Sequence, residues 1–371
     1  MRRTLVVTND FPPRAGGIQA YVHELALRQP PGSVVVFAST SAGAAEFDAA
    51  QPFPVVRYPT SMLLPTPAVS RRVQEVARAE GCTAAWFGAS APLALLAPAL
   101  RRAGVERIVA ASHGHEIGWA ALPGSRQLLR RIGDAVDVVT YLAEYSHERI
   151  ASAYGPRPRF EWVPPGVDTD AFRPDVSGAA IRARHGLGDR PTVVCVSRLV
   201  PRKGQDTLIR AWSAVRARIP GAVLLIVGEG RDEARLKKLA AGLGDSVVFT
   251  GGVPWAELPQ HYAAGHVFAM PCRTRRFGWD VEGLGIVYLE ASATGLPVIG
   301  GDSGGAPDAV LEGETGWVVP GGSVPVAAER MTALLADPDA ARAAGEKGRA
   351  WVERDWRWDG LAARLGELLQ E

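Results

Sequence analysis

Residues 192–227 read TVVCVSRLVPRKGQDTLIRAWSAVRARIPGAVLLIV, and this stretch decides the fold. Its first apolar run, Thr192–Ser197, predicts a buried strand. Gln205–Ile219 predicts a helix, and Ala222–Val227 predicts a second strand. A strand, a helix and a strand in this order indicate two parallel strands whose connecting helix covers one face of the sheet.

The same alternation continues on both sides of this stretch. The predicted strands downstream are Val247–Thr250, Val267–Pro271, Pro297–Gly300 and Gly316–Val319. Those upstream are Thr4–Thr8, Ser33–Ala38, Val55–Tyr58, Ala84–Phe87, Arg107–Ala111 and Val136–Tyr141. Proline-rich Glu161–Pro174 predicts a linker between the two series. The sequence therefore predicts an α/β protein of two Rossmann-like domains that face each other across a cleft, with ligands beyond the carboxyl ends of the strands.

Length and composition agree with this organisation. The chain has 371 residues, enough for two domains of about 150 residues. Its 41 basic and 39 acidic residues give a net charge of +2, which gives no indication of nucleic-acid binding. The three cysteines form no CxxC pair, so neither a disulfide framework nor a zinc site is predicted. A reducing, cytoplasmic location is expected, because no signal peptide or apolar run of membrane-spanning length is recognisable.

The segment Asn9–Ile18, NDFPPRAGGI, follows the first predicted strand. Gly16 and Gly17 allow backbone N–H groups to approach an anion at the start of the next helix. The alternative is an ordinary turn between a strand and a helix. The segment lacks G-x-G-x-x-G, which disfavours a dinucleotide site.

The segment Ser197–Gly204, SRLVPRKG, follows the strand Thr192–Ser197. Arg198 and Lys203 could converge there on one diphosphate, the guanidinium as a planar fork and the ammonium as a point charge. A solvated basic loop is the alternative. The position at the carboxyl end of a strand favours the binding site.

The segment Asp280–Glu290, DVEGLGIVYLE, places Glu282 before a predicted helix and Glu290 about two turns into it. Between them, Gly283–Ile286 would present backbone amides to phosphate or sugar oxygens. Glu290 could accept hydrogen bonds from a ribose diol, and Glu282 from a sugar hydroxyl. Two glutamates at this spacing are usually surface residues, but the intervening glycines favour a site.

His113 and His115 follow the strand Arg107–Ala111 within ASHGHE. Their spacing does not fit a HExxH zinc site. A histidine at this position could orient a transferred group or manage a proton. A packed or capping histidine is the alternative.

In this order and spacing, the motifs resemble the retaining GT-B glycosyltransferases of family 4. The resemblance covers nearly the whole chain and rests on GGI, HGHE, PPGVDTDAFRP, SRLVPRKGQDTLIRAW and EGLGIVYLE. CRTRRFGWDVEGLGIVYLEASATGLPVIGGDSGGAPDAV, HGHEIGWAALPGSRQLLRRIG and TSMLLPTPAV are similar to the mannosyltransferases that add the second mannose in phosphatidylinositol mannoside synthesis (the PimB type). This type has a glycine-rich stretch where the present chain has RRFGW, Arg275–Trp279.

The resemblance implies an acceptor-binding domain over residues 1–168 and a nucleotide-sugar-binding domain over 169–352. A C-terminal helix over 353–371 would cross back to the first domain. The implied catalytic residues are His113, Arg198, Lys203 and Glu282. The implied donor-binding residues are Gly16, Gly17, Arg198, Lys203, Val253, Glu282, Gly283, Leu284, Gly285, Ile286 and Glu290, with Glu290 at the ribose and Val253 at the base.

The predicted function is a GDP-mannose-dependent α-mannosyltransferase acting on phosphatidylinositol mannoside or a related glycolipid. The family's retaining mechanism implies front-face displacement with no cofactor. A family member that uses UDP-glucose or UDP-N-acetylglucosamine on a natural product or polysaccharide remains the alternative. A Rossmann oxidoreductase is disfavoured by the missing glycine fingerprint. A catalytically dead sugar-nucleotide-binding protein is disfavoured because all four implied catalytic residues are present.

Two further features concern metals and membranes. Asp168–Asp170 and Asp337–Asp339 have the D-x-D spacing of metal-dependent enzymes, but their positions in a linker and at a helix start predict structural roles and no metal. Apolar Ser61–Val69 lies beside a basic helix bearing Arg71, Arg72 and Arg78. This combination predicts peripheral binding to an anionic inner membrane face, with a buried loop as the alternative. The expected partners are a nucleotide-sugar donor, a lipid-linked or small-molecule acceptor and this membrane surface, but no nucleic acid.

Overall fold

A computed structural model describes residues 1–371, apart from the side chain of Phe277. The chain forms two compact units. Unit 1 combines Met1–Gly166 with Trp358–Glu371, and unit 2 consists of Val167–Arg357.

Unit 1 contains a parallel sheet in the order β3-β2-β1-β4-β5-β6-β7. Its strands are β1 Thr4–Thr8, β2 Val34–Ser39, β3 Val55–Tyr58, β4 Ala84–Phe87, β5 Arg107–Ala111, β6 Val138–Tyr141 and β7 Arg159–Trp162. The strands β1, β2 and β4 are buried along their whole length. Burial on both faces explains why they are almost entirely apolar.

Helices cover both faces of this sheet. They are α1 Gly17–Leu27, α2 Ala44–Ala49, α3 Pro67–Ala79, α4 Ala97–Arg102, α5 Glu116–Ala121, α6 Pro123–Gly133 and α7 Glu144–Tyr154. Alternate residues of β1 belong to two different cores. Leu5 and Val7 pack with residues of α3, α4, α6 and α7, whereas Val6 packs with residues of α1.

Unit 2 contains a parallel sheet in the order β10-β9-β8-β11-β12-β13. Its strands are β8 Thr192–Val196, β9 Val223–Val227, β10 Val247–Gly251, β11 Val267–Met270, β12 Val298–Gly301 and β13 Gly316–Val319. Its helices are α8 Ala179–Arg184, α9 Gln205–Arg218, α10 Glu233–Ala240, α11 Leu258–Ala263, α12 Ile286–Ala293, α13 Val324–Ala336 and α14 Pro338–Asp355. Both sheets thus have the doubly wound order, and the two Rossmann-like domains predicted from the sequence are confirmed.

The last helix, α15 (Trp358–Gln370), belongs to unit 1. Leu361, Leu365 and Leu368 form a buried stripe on it and join the core that contains Val22 and Leu25 of α1. This spacing places the three leucines on one helical face. The predicted C-terminal helix over 353–371 begins only at Trp358, because residues 353–355 belong to α14, which ends at Asp355.

The predicted linker Glu161–Pro174 contains the boundary between the two units, Gly166 and Val167, but its first two residues belong to β7. This strand pairs with β6 and places Glu161 opposite Thr140. This strand lies at the edge of the sheet, with Arg159 exposed and the other three residues partly buried, so it contains charged residues and lacks a continuous apolar run. Among the described residues, no helix combines the length and apolar character needed to cross a membrane.

Candidate active site

Three of the predicted functional segments follow strands at the points where the strand order of each sheet reverses, whereas His113 follows β5 and Val253 follows β10. In unit 2 this point lies between β8 and β11, and the turn that carries Lys203 follows β8 while the segment leading to Glu282 follows β11. In unit 1 the reversal lies between β1 and β4. Ligands of doubly wound sheets bind beyond the strands at such points.

Lys203 and Glu282 form a buried ion pair. Nζ of Lys203 lies 2.7 Å from Oε2 of Glu282, and each side chain is 9% exposed. Nε of Arg202 lies 3.6 Å from the same oxygen. Two cations therefore face one carboxylate in a poorly solvated place, where charges interact more strongly than they do at the surface.

The turn that carries Lys203 is fixed against β11. Gly204 has a φ of 79°, and a Cβ there would collide with the carbonyl oxygen of Pro271, so only glycine fits. The N–H of Arg273 donates to the carbonyl of Arg202 at 2.8 Å. The guanidinium of Arg273 lies 2.9 Å from Oδ1 of buried Asp206, in the first turn of α9. These contacts hold the lysine in register with the segment that follows β11.

A second glycine holds Glu282 from the other side. The N–H of Gly305 donates to the carbonyl of Glu282 at 3.0 Å, and the N–H of Glu282 donates to Oγ of Ser303 at 3.2 Å. Gly304 has a φ of 58°, and its missing side chain leaves room for the Glu282 carbonyl. These contacts fix the position of the Glu282 backbone.

The amides that the sequence assigned to donor binding precede α12. Gly285 is the N-cap residue with a φ of 84°, and Gly283 has open space beside it. Leu284 is buried, and Ile286 begins the helix. The first amides of a helix have no acceptor in a preceding turn, so they are suited to binding anionic or hydroxyl oxygens.

Glu290 lies within α12 and is 9% exposed. Its Oε2 accepts a hydrogen bond of 2.6 Å from Oη of fully buried Tyr262. Burial raises the pKa of Glu290 to about 7, an effect that the tyrosine hydrogen bond partly opposes. The carboxyl is therefore poised to change its charge when a hydrogen-bond donor such as a diol arrives.

The structure does not bring all predicted residues of unit 2 into contact. Arg198 is exposed and forms no ion pair among the described side chains. Val253 is partly buried in the loop after β10. The N–H of Gly228 donates to the carbonyl of Gly251 at 2.9 Å, so the ends of β9 and β10 adjoin.

In unit 1, His113 lies beyond β5. Its Nε2 donates to the carbonyl of Gly88 at 2.6 Å, and its ring meets that of Tyr21 edge to face at 5.1 Å. Burial lowers the pKa of His113, so the neutral ring, protonated on Nε2, leaves Nδ1 as an acceptor. Gly16 and Gly17 are exposed at the start of α1, the helix that carries Tyr21.

Glu116, to which the sequence reasoning gave no role, lies in a buried network beside His113. Its carboxylate accepts hydrogen bonds from the hydroxyls of Ser90 at 2.7 Å and Ser112 at 2.9 Å. Nε2 of His115 lies 3.3 Å from the same carboxylate. Burial acts to raise the pKa of Glu116, but His115 and Ser90 hold it below its usual value. The only sequence signal was a glutamate directly following the two histidines.

Three other contact residues had no sequence assignment. Arg202 and Asp280 join the ion-pair cluster at 3.5 Å from each other, and Tyr262 holds Glu290. Arg202 stands next to Lys203, but sequence does not show which of two adjacent cations points at a carboxylate. Asp280 stands within the predicted segment, two residues before Glu282.

Among the described side chains, no group of three or more histidines, cysteines, aspartates or glutamates could hold a metal ion. Oδ1 of Asp168 accepts hydrogen bonds from the N–H groups of Asp170 and Ala171. Asp337 is the N-cap of α14 and accepts from Ala340. Both aspartates thus satisfy local backbone donors.

Comparisons with known proteins give the family. Residues 15–171 match Glycosyltransferase Family 4, and residues 179–351 match Glycosyl transferases group 1. The chain is 53% identical to a Mycobacterium tuberculosis protein, the GDP-mannose-dependent alpha-(1-6)-phosphatidylinositol monomannoside mannosyltransferase, over 100% of this chain and 98% of the relative. It is 48% identical, over the same shares, to the Corynebacterium glutamicum enzyme named for the monoacylated form of that acceptor.

Solved structures agree in fold. Anabaena HepE in complex with UDP superimposes with a TM-score of 0.80 at 20% identity, covering 99% of each chain. Sucrose-phosphate synthase from Thermosynechococcus elongatus gives a TM-score of 0.76 at 22% identity, covering 100% of this chain and 98% of the other. With the full-length relatives, these likenesses confirm the resemblance that the motifs indicated: the chain belongs to the family 4 glycosyltransferases of GT-B fold, in the group of the phosphatidylinositol monomannoside mannosyltransferases.

Proposed function

We propose that this chain transfers mannose from GDP-mannose, in α linkage, to a phosphatidylinositol mannoside. The observation that carries the proposal is the full-length similarity to mannosyltransferases named for this donor and acceptor, at 53% and 48% identity. The ion-pair site of unit 2 supports it with groups suited to a sugar diphosphate.

In this proposal the donor rearranges the Lys203–Glu282 pair. The diphosphate competes for the ammonium of Lys203, 2.7 Å from the carboxylate in the free protein. Arg198, exposed and without an ion pair among the described residues, supplies a second cation. Glu282 then accepts hydrogen bonds from sugar hydroxyls. Cations held at the leaving group stabilise its developing charge without reorganisation during the reaction.

His113 and Glu290 would serve different parts of the substrates. The free Nδ1 of neutral His113 is an acceptor for a hydroxyl of the transferred sugar. Glu290 would hold the ribose, and Val253 would lie at the base. We propose front-face displacement with retention of configuration and without a metal or other cofactor. The product anomer read by NMR, and activity that persists with a chelator, are the expected results.

An apolar and basic surface supports peripheral membrane binding at a cytoplasmic face. Met62 and Leu64 are 60% and 49% exposed, whereas Leu63 between them is fully buried. Arg71 and Arg72 are exposed on α3, which follows directly. Apolar tips beside cations are suited to an anionic bilayer. Wild type should co-sediment with anionic vesicles and a Met62→Ser/Leu64→Ser variant should not; equal sedimentation of both would contradict this surface.

The decisive experiment offers the purified protein one acceptor and several donors. Radiolabelled GDP-mannose, UDP-glucose and UDP-N-acetylglucosamine are incubated with phosphatidylinositol monomannoside, with and without EDTA. Transfer from GDP-mannose alone is expected, together with selective thermal stabilisation by GDP. Transfer from a UDP-sugar would replace the proposed donor while keeping the family and the site.

A further inference from the structure

A small closed loop, residues 275–280, precedes Glu282. The N–H of Arg275 donates to the carbonyl of Asp280 at 2.9 Å, and the N–H of Asp280 donates back at 3.2 Å. Between these ends Arg276 adopts a φ of 52°, the one positive value of a non-glycine residue in the described backbone. Such conformations persist where the surrounding structure enforces them, and they are frequent in ligand-binding segments.

The loop presents a tryptophan to solvent. Trp279 is 64% exposed, more than any other described aromatic side chain, and it has no ring or cation–π partner among the described residues. Tryptophan usually covers most of its large apolar surface, so an indole held in water offers an aromatic face that a ligand could cover.

The guanidinium of Arg202 connects this loop to the ion-pair site. Arg202 lies 3.5 Å from Oδ1 of Asp280 and 3.6 Å from Oε2 of Glu282. Asp280 is the direct neighbour of Trp279. Trp279 therefore precedes, by one residue along the backbone, a carboxylate that Arg202 connects to the ion-pair site of Lys203 and Glu282.

We propose that Trp279 is an acceptor platform: its indole face packs against a hydroxylated ring of the phosphatidylinositol mannoside headgroup. This inference rests on the proposed function. Three of the side chains assigned to the donor, Lys203, Glu282 and Glu290, are each at most 9% exposed, so the donor sugar and its nucleotide are expected to lie deeper than the exposed indole. A ring that arrives from solvent to meet the donor sugar is the group placed to cover Trp279. The flat indole fits the C–H face of a hexose or cyclitol and leaves the hydroxyls at its edge in water.

The test compares Trp279→Ala and Trp279→Phe with the matched control Trp317→Ala. Trp317 is a partly buried indole on β13 that packs against Arg330. Calorimetry measures binding of the deacylated headgroup, glycerophosphoinositol monomannoside, in the presence of GDP. Trp279→Ala should weaken this binding and raise the KM of the lipid acceptor by about tenfold. The KM of GDP-mannose should stay within about twofold, since no interaction with the donor is removed.

The phenylalanine variant should retain most of the affinity, because an aromatic face remains, and the control should match wild type. Equal headgroup binding by wild type and Trp279→Ala would overturn the platform. So would a loss seen with vesicles and not with the soluble headgroup, which would identify Trp279 as a bilayer anchor. Headgroup binding that depends on Trp279 without any mannose transfer would retain the platform and refute the proposed reaction. A wild type that binds no headgroup would refute the platform even if it transfers mannose to another acceptor.

Discussion

The buried carboxyl of Glu290 should make folding stability depend on pH, and Glu290→Gln should remove this dependence. The pKa of Glu290 is raised from 4.5 to about 7 in the folded protein. Between these two pH values the folded state holds a proton that the unfolded state has lost. The stabilisation is therefore complete below the unfolded pKa and is lost as pH rises through the folded pKa.

The size of the effect follows from the two pKa values. Between pH 5 and pH 8 the free energy of unfolding should fall by about 2.5 kcal/mol through this group. Urea unfolding of wild type and Glu290→Gln at pH 5, 6, 7 and 8 measures it as a difference, in which the other titrating groups cancel. Relative to wild type, the variant should gain about that amount of stability across the range.

Two further measurements sharpen this prediction. Tyr262→Phe removes a hydrogen bond that lowers the pKa of Glu290, so its stability should fall with pH at least as much as that of wild type. A ribose diol that donates to the carboxylate favours the ionised form, so GDP should raise the Tm of wild type more at pH 8 than at pH 6. A stability difference between wild type and Glu290→Gln that is constant from pH 5 to pH 8 would refute the reasoning.

Three other variants test the remaining features. Lys203→Ala should lower kcat/KM about 150-fold, which corresponds to about 3 kcal/mol of transition-state stabilisation. The control Lys237→Ala, on the exposed face of α10, should leave kcat/KM unchanged. An unaltered kcat and KM in Lys203→Ala would contradict the proposed role of Lys203 at the diphosphate. Glu116→Ala should lower the free energy of unfolding, measured by thermal unfolding, by about 3 kcal/mol, because the hydroxyls of Ser90 and Ser112 lose their acceptor. Glu116→Gln, which keeps an acceptor oxygen, should lower it clearly less. Equal destabilisation by both variants would contradict the hydrogen-bond network. Leu365→Ala should lower the free energy of unfolding, measured in urea, by about 2–5 kcal/mol. If it lowers this free energy no more than the exposed control Glu367→Ala does, α15 is not part of the core.

Strands that are buried on both faces could be predicted from sequence because they are almost entirely apolar. Thr4–Thr8, Ala84–Phe87 and Arg107–Ala111 agree with the structure at both ends. The edge strand Arg159–Trp162 was missed, because one partner and partial exposure leave it charged and irregular in pattern. Two helices after HGHE were not predicted: α5 has only six residues, and Pro123, at the start of α6, interrupts the helical pattern between them.

The candidate site could be predicted as far as parallel strands place it. Lys203 and Glu282 follow two neighbouring strands, β8 and β11, so the fold brings them together. Which residues contact Lys203 and Glu282 depends on the directions of the side chains. Side-chain packing decides whether Arg202 or Arg198 turns toward the carboxylate of Glu282. It also brings Tyr262 of α11 to Glu290. The periodicity of the sequence indicates neither contact.

The return of α15 to unit 1 has a consequence for synthesis on the ribosome. The core between α1 and the first sheet includes Leu361, Leu365 and Leu368, which are translated after the whole of unit 2. Unit 2 is continuous in sequence and can close as soon as it emerges. Until α15 has been translated, the first domain therefore has one face of its sheet incompletely covered, and this exposed apolar surface favours aggregation.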